Sequence, residues 1–212
     1  PVPGCYPETW RALEKIREPL MALKAASKQV SDVVGSQTAL ATGEVDVLIR
    51  NSTWSFARDT DLKFDVVAVN YYDGQGFMVK KDLGVSSAKE LDGATVCIQT
   101  GTTTELNLAD FFKSNNISYT PVTVGDDSEA ARQYLAGACD AYTTDASGLA
   151  ATRATMADPA SHVILPEIIS KEPLGPMVRH GDNNWGDIVR WTYYALVEAE
   201  EKGITKANLE EI

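Results

Sequence analysis

A chain of 212 residues is long enough for one large domain or two small lobes, and 44% hydrophobic residues suffice for a buried core. Its net charge of −11 argues against nucleic acid and anionic membranes as partners, since both are bound by clustered Lys and Arg. No apolar run approaches the roughly 18 residues of a membrane span, and no signal peptide is legible. The chain begins at Pro1 and not at Met, as either a removed leader or a partial chain leaves it.

Residues 8–34 read as helix. Leu13, Ile16, Leu20, Leu23, Val30, Val33 and Val34 recur at helical intervals, and Pro19 marks a break or a new first turn. Residues 37–43 read as a helix end closed by Gly43. Val45, Val47 and Ile49 then alternate with polar residues, which predicts a strand. After the loop Asn51-Ser52-Thr53, strands are expected over Phe64–Asn70 and Gly76–Lys80. A short helix, Ser87–Leu91, is ended by Asp92-Gly93. A β–loop–helix unit follows: strand Ala94–Gln99, loop Thr100–Thr103, helix Glu105–Ser114. Strand Tyr119–Val124, helix Ser128–Ala136, strand Cys139–Thr143, helix Ser147–Met156 and strand Val163–Leu165 continue the alternation. A last strand, Met177–Arg179, precedes a long helix, Asp187–Lys202, with Ile188, Trp191, Ala195 and Val197 toward the core. This order predicts an α/β fold with largely parallel sheets. No internal repeat is visible.

Three cysteines, Cys5, Cys97 and Cys139, lack C-x-x-C spacing, and His162 and His180 lie far apart. That pattern speaks against a zinc site. Spacing alone leaves Cys97 and Cys139 equally readable as a disulfide or as two buried thiols. No G-x-S-x-G elbow and no compelling Ser–His–Asp order is present.

Three polar features stand out. The turn Gly101-Thr102-Thr103-Thr104-Glu105 joins a buried strand to a helix N-terminus, where backbone N–H groups attract anions. An ordinary capping box with Glu105 as its acid explains the same residues. Arg58 follows the loop Asn51-Ser52-Thr53 and offers a fork matched to a carboxylate; pairing with Asp59 or Asp61 is the plainer reading. Asp145 follows a strand at its carboxyl end, where open α/β sheets bind ligands; a helix N-cap is the competing role. One cation, one anion and one helix N-terminus together complement a zwitterionic α-amino acid.

Longer strings carry a family resemblance. Gly43–Val47, Asn70–Val79, Gln99–Leu108, Tyr142–Leu149 and Leu165–Pro176 resemble the general L-amino-acid-binding proteins of bacterial ABC transporters, over roughly residues 38–212. The resemblance implies a type II periplasmic-binding-protein-like α/β fold with two lobes, mainly parallel sheets and a reduced first lobe. Lobe one would comprise residues 1–80 and 172–212, with 1–37 unmatched to the family, and lobe two residues 81–171. The ligand would be an L-amino acid, with polar ones such as Glu, Gln, Asp and Asn suggested by the family, and the partner a membrane permease. No cofactor, metal or nucleic acid is implied, and the setting is periplasmic or secreted.

Carried over by motif, Arg58 grips the α-carboxylate, Thr53 adds a hydroxyl contact, and the Asn51 backbone accepts from the amine. Thr103 offers its backbone N–H to the carboxylate, and Asp145 holds the α-ammonium. Cys97 and Cys139 match positions that look disulfide-paired in relatives, while Cys5 has no visible partner. The incomplete first lobe leaves an exposed sheet edge through which homo-oligomers are expected. Two alternatives to a binding protein stay open. One is a module of the same fold that has lost solute binding. The other is an enzyme such as a dehydratase, which needs a general acid or base that neither histidine supplies at a matched position.

Overall fold

Short runs rich in β-branched and aromatic residues supply the strands, and Gly, Asp and Asn punctuate them. The computed structural model describes residues 33–208. The helix read over 8–34 lies outside these residues apart from its last two positions, and Cys5 lies wholly outside.

Helix α1 (Val33–Ala41) ends at Gly43, whose φ of 78° is left-handed and suits a residue without Cβ. Helix α2 (Phe56–Thr60) and strands β1 (Phe64–Val66), β2 (Tyr71–Asp73) and β3 (Gln75–Lys80) follow. Then come β4 (Ala94–Gln99), α3 (Thr103–Ser114), β5 (Tyr119–Val124), α4 (Asp127–Leu135), β6 (Ala141–Asp145) and α5 (Ala146–Ala154). The chain closes with β7 (His162–Ile164), β8 (Glu172–Leu174), β9 (Met177–Arg179) and α6 (Asn183–Glu201).

The main sheet has the order β5-β4-β6-β3-β7. Strand β4 runs parallel to β5 and β6, and β3 lies antiparallel between β6 and β7. All strands but β3 therefore share one direction. The sheet takes in Gln75–Lys80, a segment expected in the first lobe, because β3 pairs along its length with β6.

Both faces of the sheet are covered, and the pleat divides its side chains between them. Phe77, Val79, Val96 and Ile98 pack with Leu108 and Phe112 of α3 on one side. Met78, Cys97 and Tyr142 pack with Ala130 and Tyr134 of α4 and Leu149 of α5 on the other. Cys97 and Cys139 form a disulfide with Cα atoms 5.7 Å apart, tying β4 to the turn before β6. Two thiols are thereby excluded.

Two antiparallel ladders, β1–β9 and β2–β8, stand outside the main sheet. A small core of Leu40, Leu48, Phe64 and Met177 packs beside the first. Chain segments come very close next to the second. A Cβ on Gly175 would lie 1.9 Å from the Ala68 carbonyl oxygen, so only glycine fits there.

Three expectations are corrected. Residues 45–49 form no strand; Leu48 makes a single bridge to Met177. Val45 and Leu48 turn inward while Ile49 is 66% exposed, a spacing of three that a period-2 reading misses. The run Phe64–Asn70 is a strand only to Val66, where its short partner β9 ends. On α6, Trp191 faces solvent at 52% exposure instead of the core.

Candidate functional site

Ser55 caps α2 by accepting from the Arg58 N–H, which fixes where Arg58 leaves the backbone. Upstream, Thr53 bridges to Leu174 and the Trp54 N–H donates to the Pro173 carbonyl at 2.8 Å, so the loop is pinned to β8. Arg58 is buried, and its Nη1 donates to the Thr53 carbonyl at 2.7 Å. With its amide oxygen turned toward the guanidinium, Gln37 accepts from Nε at 3.0 Å and Nη2 at 3.2 Å. The pairing expected with Asp59 or Asp61 does not form: Asp59 accepts from Trp54 Nε1 and Asp61 from Thr60. Burial lowers the Arg58 pKa, and the negative charges of Glu172 and Asp145 oppose that shift. A buried guanidinium satisfied by neutral oxygens keeps a strong attraction for an anion.

Helix α3 is capped by Thr102, and Glu105 reaches back one residue past that cap, a variant of the capping box. Thr102 accepts from the Glu105 N–H at 3.1 Å, and the Glu105 carboxylate accepts from the Gly101 N–H at 2.8 Å. Neither contact uses the N–H groups of Thr103 and Thr104, the first two of the helix. Capping and anion binding are thus compatible at this terminus. Gln75 props the same turn from β3, its amide nitrogen donating to the Thr104 carbonyl at 3.0 Å and to Thr143 Oγ1 at 2.9 Å.

Asp145 is the last residue of β6, not part of the loop after it. It sits at the N-cap of α5 yet makes no side-chain cap bond. Asp73 serves that terminus instead, accepting from the Ser147 N–H at 3.3 Å and from the Ser147 hydroxyl. The capping role weighed for Asp145 is therefore overturned. Its carboxyl is buried and its pKa is raised to about 7, chiefly by desolvation and then by the nearby charges of Asp73 and Glu172; a hydrogen bond from Asn51 pulls the other way. A cation beside it would restore the ionised form.

Glu172, at the start of β8, was not singled out by its sequence. It is 2% exposed and lies at the centre of the cluster. Its Oε2 accepts from the hydroxyls of Thr53 and, at 3.1 Å, Thr103. Its Oε1 accepts from Asn107 Nδ2 at 2.7 Å and from the Ser170 hydroxyl. These partners lie 119, 69, 65 and 2 residues away along the chain, and a Lys171-Glu172 pair reads as solvated surface until they are folded together.

The structure thus joins Thr53, Arg58, Thr103 and Asp145 into one polar cluster, with Asn51 at its exposed edge. Both histidines stay apart from it. His162 contacts the Tyr134 hydroxyl at 2.7 Å, and His180 faces Asp59 and Asp65. Among the described residues no group of side chains could hold a metal ion, and no helix is long and apolar enough to cross a membrane.

This architecture is the type II periplasmic-binding-protein fold. A periplasmic binding protein from Brucella ovis, solved with glutathione bound, superposes with a TM-score of 0.80 at 55% identity, covering 85% of this chain and 57% of that one. The family model described as NMT1/THI5 like matches residues 22–167, and the chain belongs to that family. It is 77% identical over 175 residues to the glutamate/glutamine/aspartate/asparagine-binding protein BztA of Rhodobacter capsulatus, covering 82% of this chain and 52% of that protein. It is 61% identical over 175 residues to the general L-amino acid-binding periplasmic protein AapJ of Rhizobium johnstonii, covering 82% and 51%. The chain spans about half the length of these curated relatives.

Proposed function

We propose that this chain binds L-amino acids outside the cytoplasm, without catalysis, for delivery to the permease of an ABC transporter. The observation that carries this reading is the pairing, in one buried cluster, of a guanidinium held by neutral oxygens and an uncapped carboxyl whose pKa is raised to about 7. Arg58 and the Thr103 N–H take the α-carboxylate. Asp145 and the Asn51 carbonyl take the α-ammonium, and Thr53 completes that end. The cluster lies where β2–β8 meets the main sheet, which supports a two-lobe division with the ligand between lobes. The name of the similar BztA protein supports a preference for Glu, Gln, Asp and Asn.

Calorimetric titration with the twenty amino acids tests this reading. Saturable binding of at least one polar amino acid is expected. No binding to any of them would overturn it in favour of a second reading, an interaction module on this fold. That second reading draws on the exposed Trp191, Tyr194 and Leu196 of α6 and expects a concentration-dependent dimer in sedimentation.

A further inference from the structure

Glu172 is buried within the proposed ligand site, yet its acceptor capacity is already filled. An ionised carboxylate offers about four acceptor positions. The hydroxyls of Thr53 and Thr103 occupy those of Oε2, and Asn107 and Ser170 occupy those of Oε1. No position remains for a ligand's ammonium, so Glu172 is not a direct ligand contact. Asp145 differs: it makes no cap bond, and the charges of Asp73 and Glu172 beside it are negative.

The arrangement also decides what the two threonines can do. A hydroxyl has one proton and two lone pairs. The oxygens of Thr53 and Thr103 lie 3.4 Å apart, and each has Glu172 Oε2 as its other partner. A charged oxygen is the stronger acceptor, so both protons turn to Glu172 and the contact between the hydroxyls carries no proton. Toward the rest of the site each threonine then presents lone pairs alone.

We infer that Glu172 is a positioning residue that sets the hydrogen-bond polarity of the site, taking the hydroxyl protons of Thr53 and Thr103 so that both side chains accept from an ammonium and neither donates to a carboxylate. The inference rests on the amino-acid-binding reading. Recognition of the carboxylate then falls to Arg58 and backbone N–H groups alone. The Thr53–Thr103 wall reads positive charge, and so separates an α-amino acid from an acid of the same shape lacking the amine.

The test is titration of wild type and Glu172→Gln with L-glutamate and with glutarate, which lacks the ammonium; if wild type favours another amino acid, that one and its deaminated acid are used. In Glu172→Gln the new amide donates to the hydroxyls and releases their protons toward the ligand. The ratio of L-glutamate to glutarate affinity is expected to fall about tenfold or more, with glutarate binding held or improved. A purely structural role weakens both probes alike. An equal loss, or an unmoved ratio, would overturn the proposal. Should Glu172→Gln fail to fold, Thr103→Val decides the matter. It removes one acceptor at constant shape and is expected to weaken L-glutamate alone, whereas a loss confined to glutarate shows a donating hydroxyl and refutes the inference. Binding with an unchanged ratio defeats only this inference; a wild type that binds no amino acid defeats the underlying reading and this inference together.

Discussion

Asp145 and Glu172 are two buried carboxylates in one cluster whose surroundings give them opposite tasks. Glu172 is surrounded by neutral donors and holds segments together, while Asp145 lies among negative neighbours and makes no cap bond. The raised Asp145 pKa has a definite sign. A carboxyl of pKa about 7 in the fold, against roughly 4 unfolded, binds its proton more tightly when folded. The stability this contributes is fully present below about pH 4 and is lost as pH rises through about 7. Wild type without ligand should therefore lose stability relative to Asp145→Asn between pH 4 and 7, as read by urea melts at both pH values. An equal pH slope in the two proteins would show that Asp145 titrates normally. An ammonium requires the ionised carboxylate, so amino-acid affinity should rise over the same interval in wild type and stay flat and weak in the variant.

At the scale of elements, β4, β5 and β9 occupy the residues predicted for them; β4 and β5 are enriched in β-branched side chains, and β9 is a short run set off by Pro176 and Gly181. The main errors lie where partners decide. Residues 45–49 alternate like a strand but meet only one bridging residue, Met177. Strand β6 runs two residues beyond its expected end, because β3 continues to pair with it as far as Asp145. That shift places Asp145 on the sheet and hands the helix terminus to Asp73. The same strand geometry brings Cys97 and Cys139 together, so titration of the denatured protein should find one thiol among three cysteines. Finding three would remove the bridge. The bridge spans 42 residues, so reduction should cost up to about 4 kcal/mol of stability in the chain-entropy model, and the Cys97→Ala/Cys139→Ala pair should show a comparable drop.

The molecule as a whole gathers the site from segments far apart in sequence. Thr53, Arg58, Thr103 and Asp145 drew attention because each sits in a turn, at a strand end or at a helix start, but local chemistry alone left a cap or an ion pair as the plainer reading, and their roles toward a ligand came from the family resemblance. Glu172 did not, because nothing within ten residues distinguishes it from a solvated charge; its role appears only once β8 lies beside the Thr53 loop and the first turns of α3. On the proposed reading, ligand binding acts on the fold as well as on the site. A ligand that binds only the folded state stabilises it by RT ln(1 + [L]/Kd), about 2.7 kcal/mol at a hundred times Kd. For a domain of this size each kcal/mol moves Tm by about 2–4 °C. A saturating polar L-amino acid should then raise Tm by about 5–10 °C. Arg58→Ala removes the charge-assisted fork, a loss of roughly 2–3 kcal/mol in binding or about a hundredfold in affinity. At the same ligand concentration its Tm should barely respond, although its far-UV circular dichroism is retained. A shift of equal size in both proteins would mean that the amino acid binds elsewhere. No shift in wild type would mean that the polar cluster only holds the fold together.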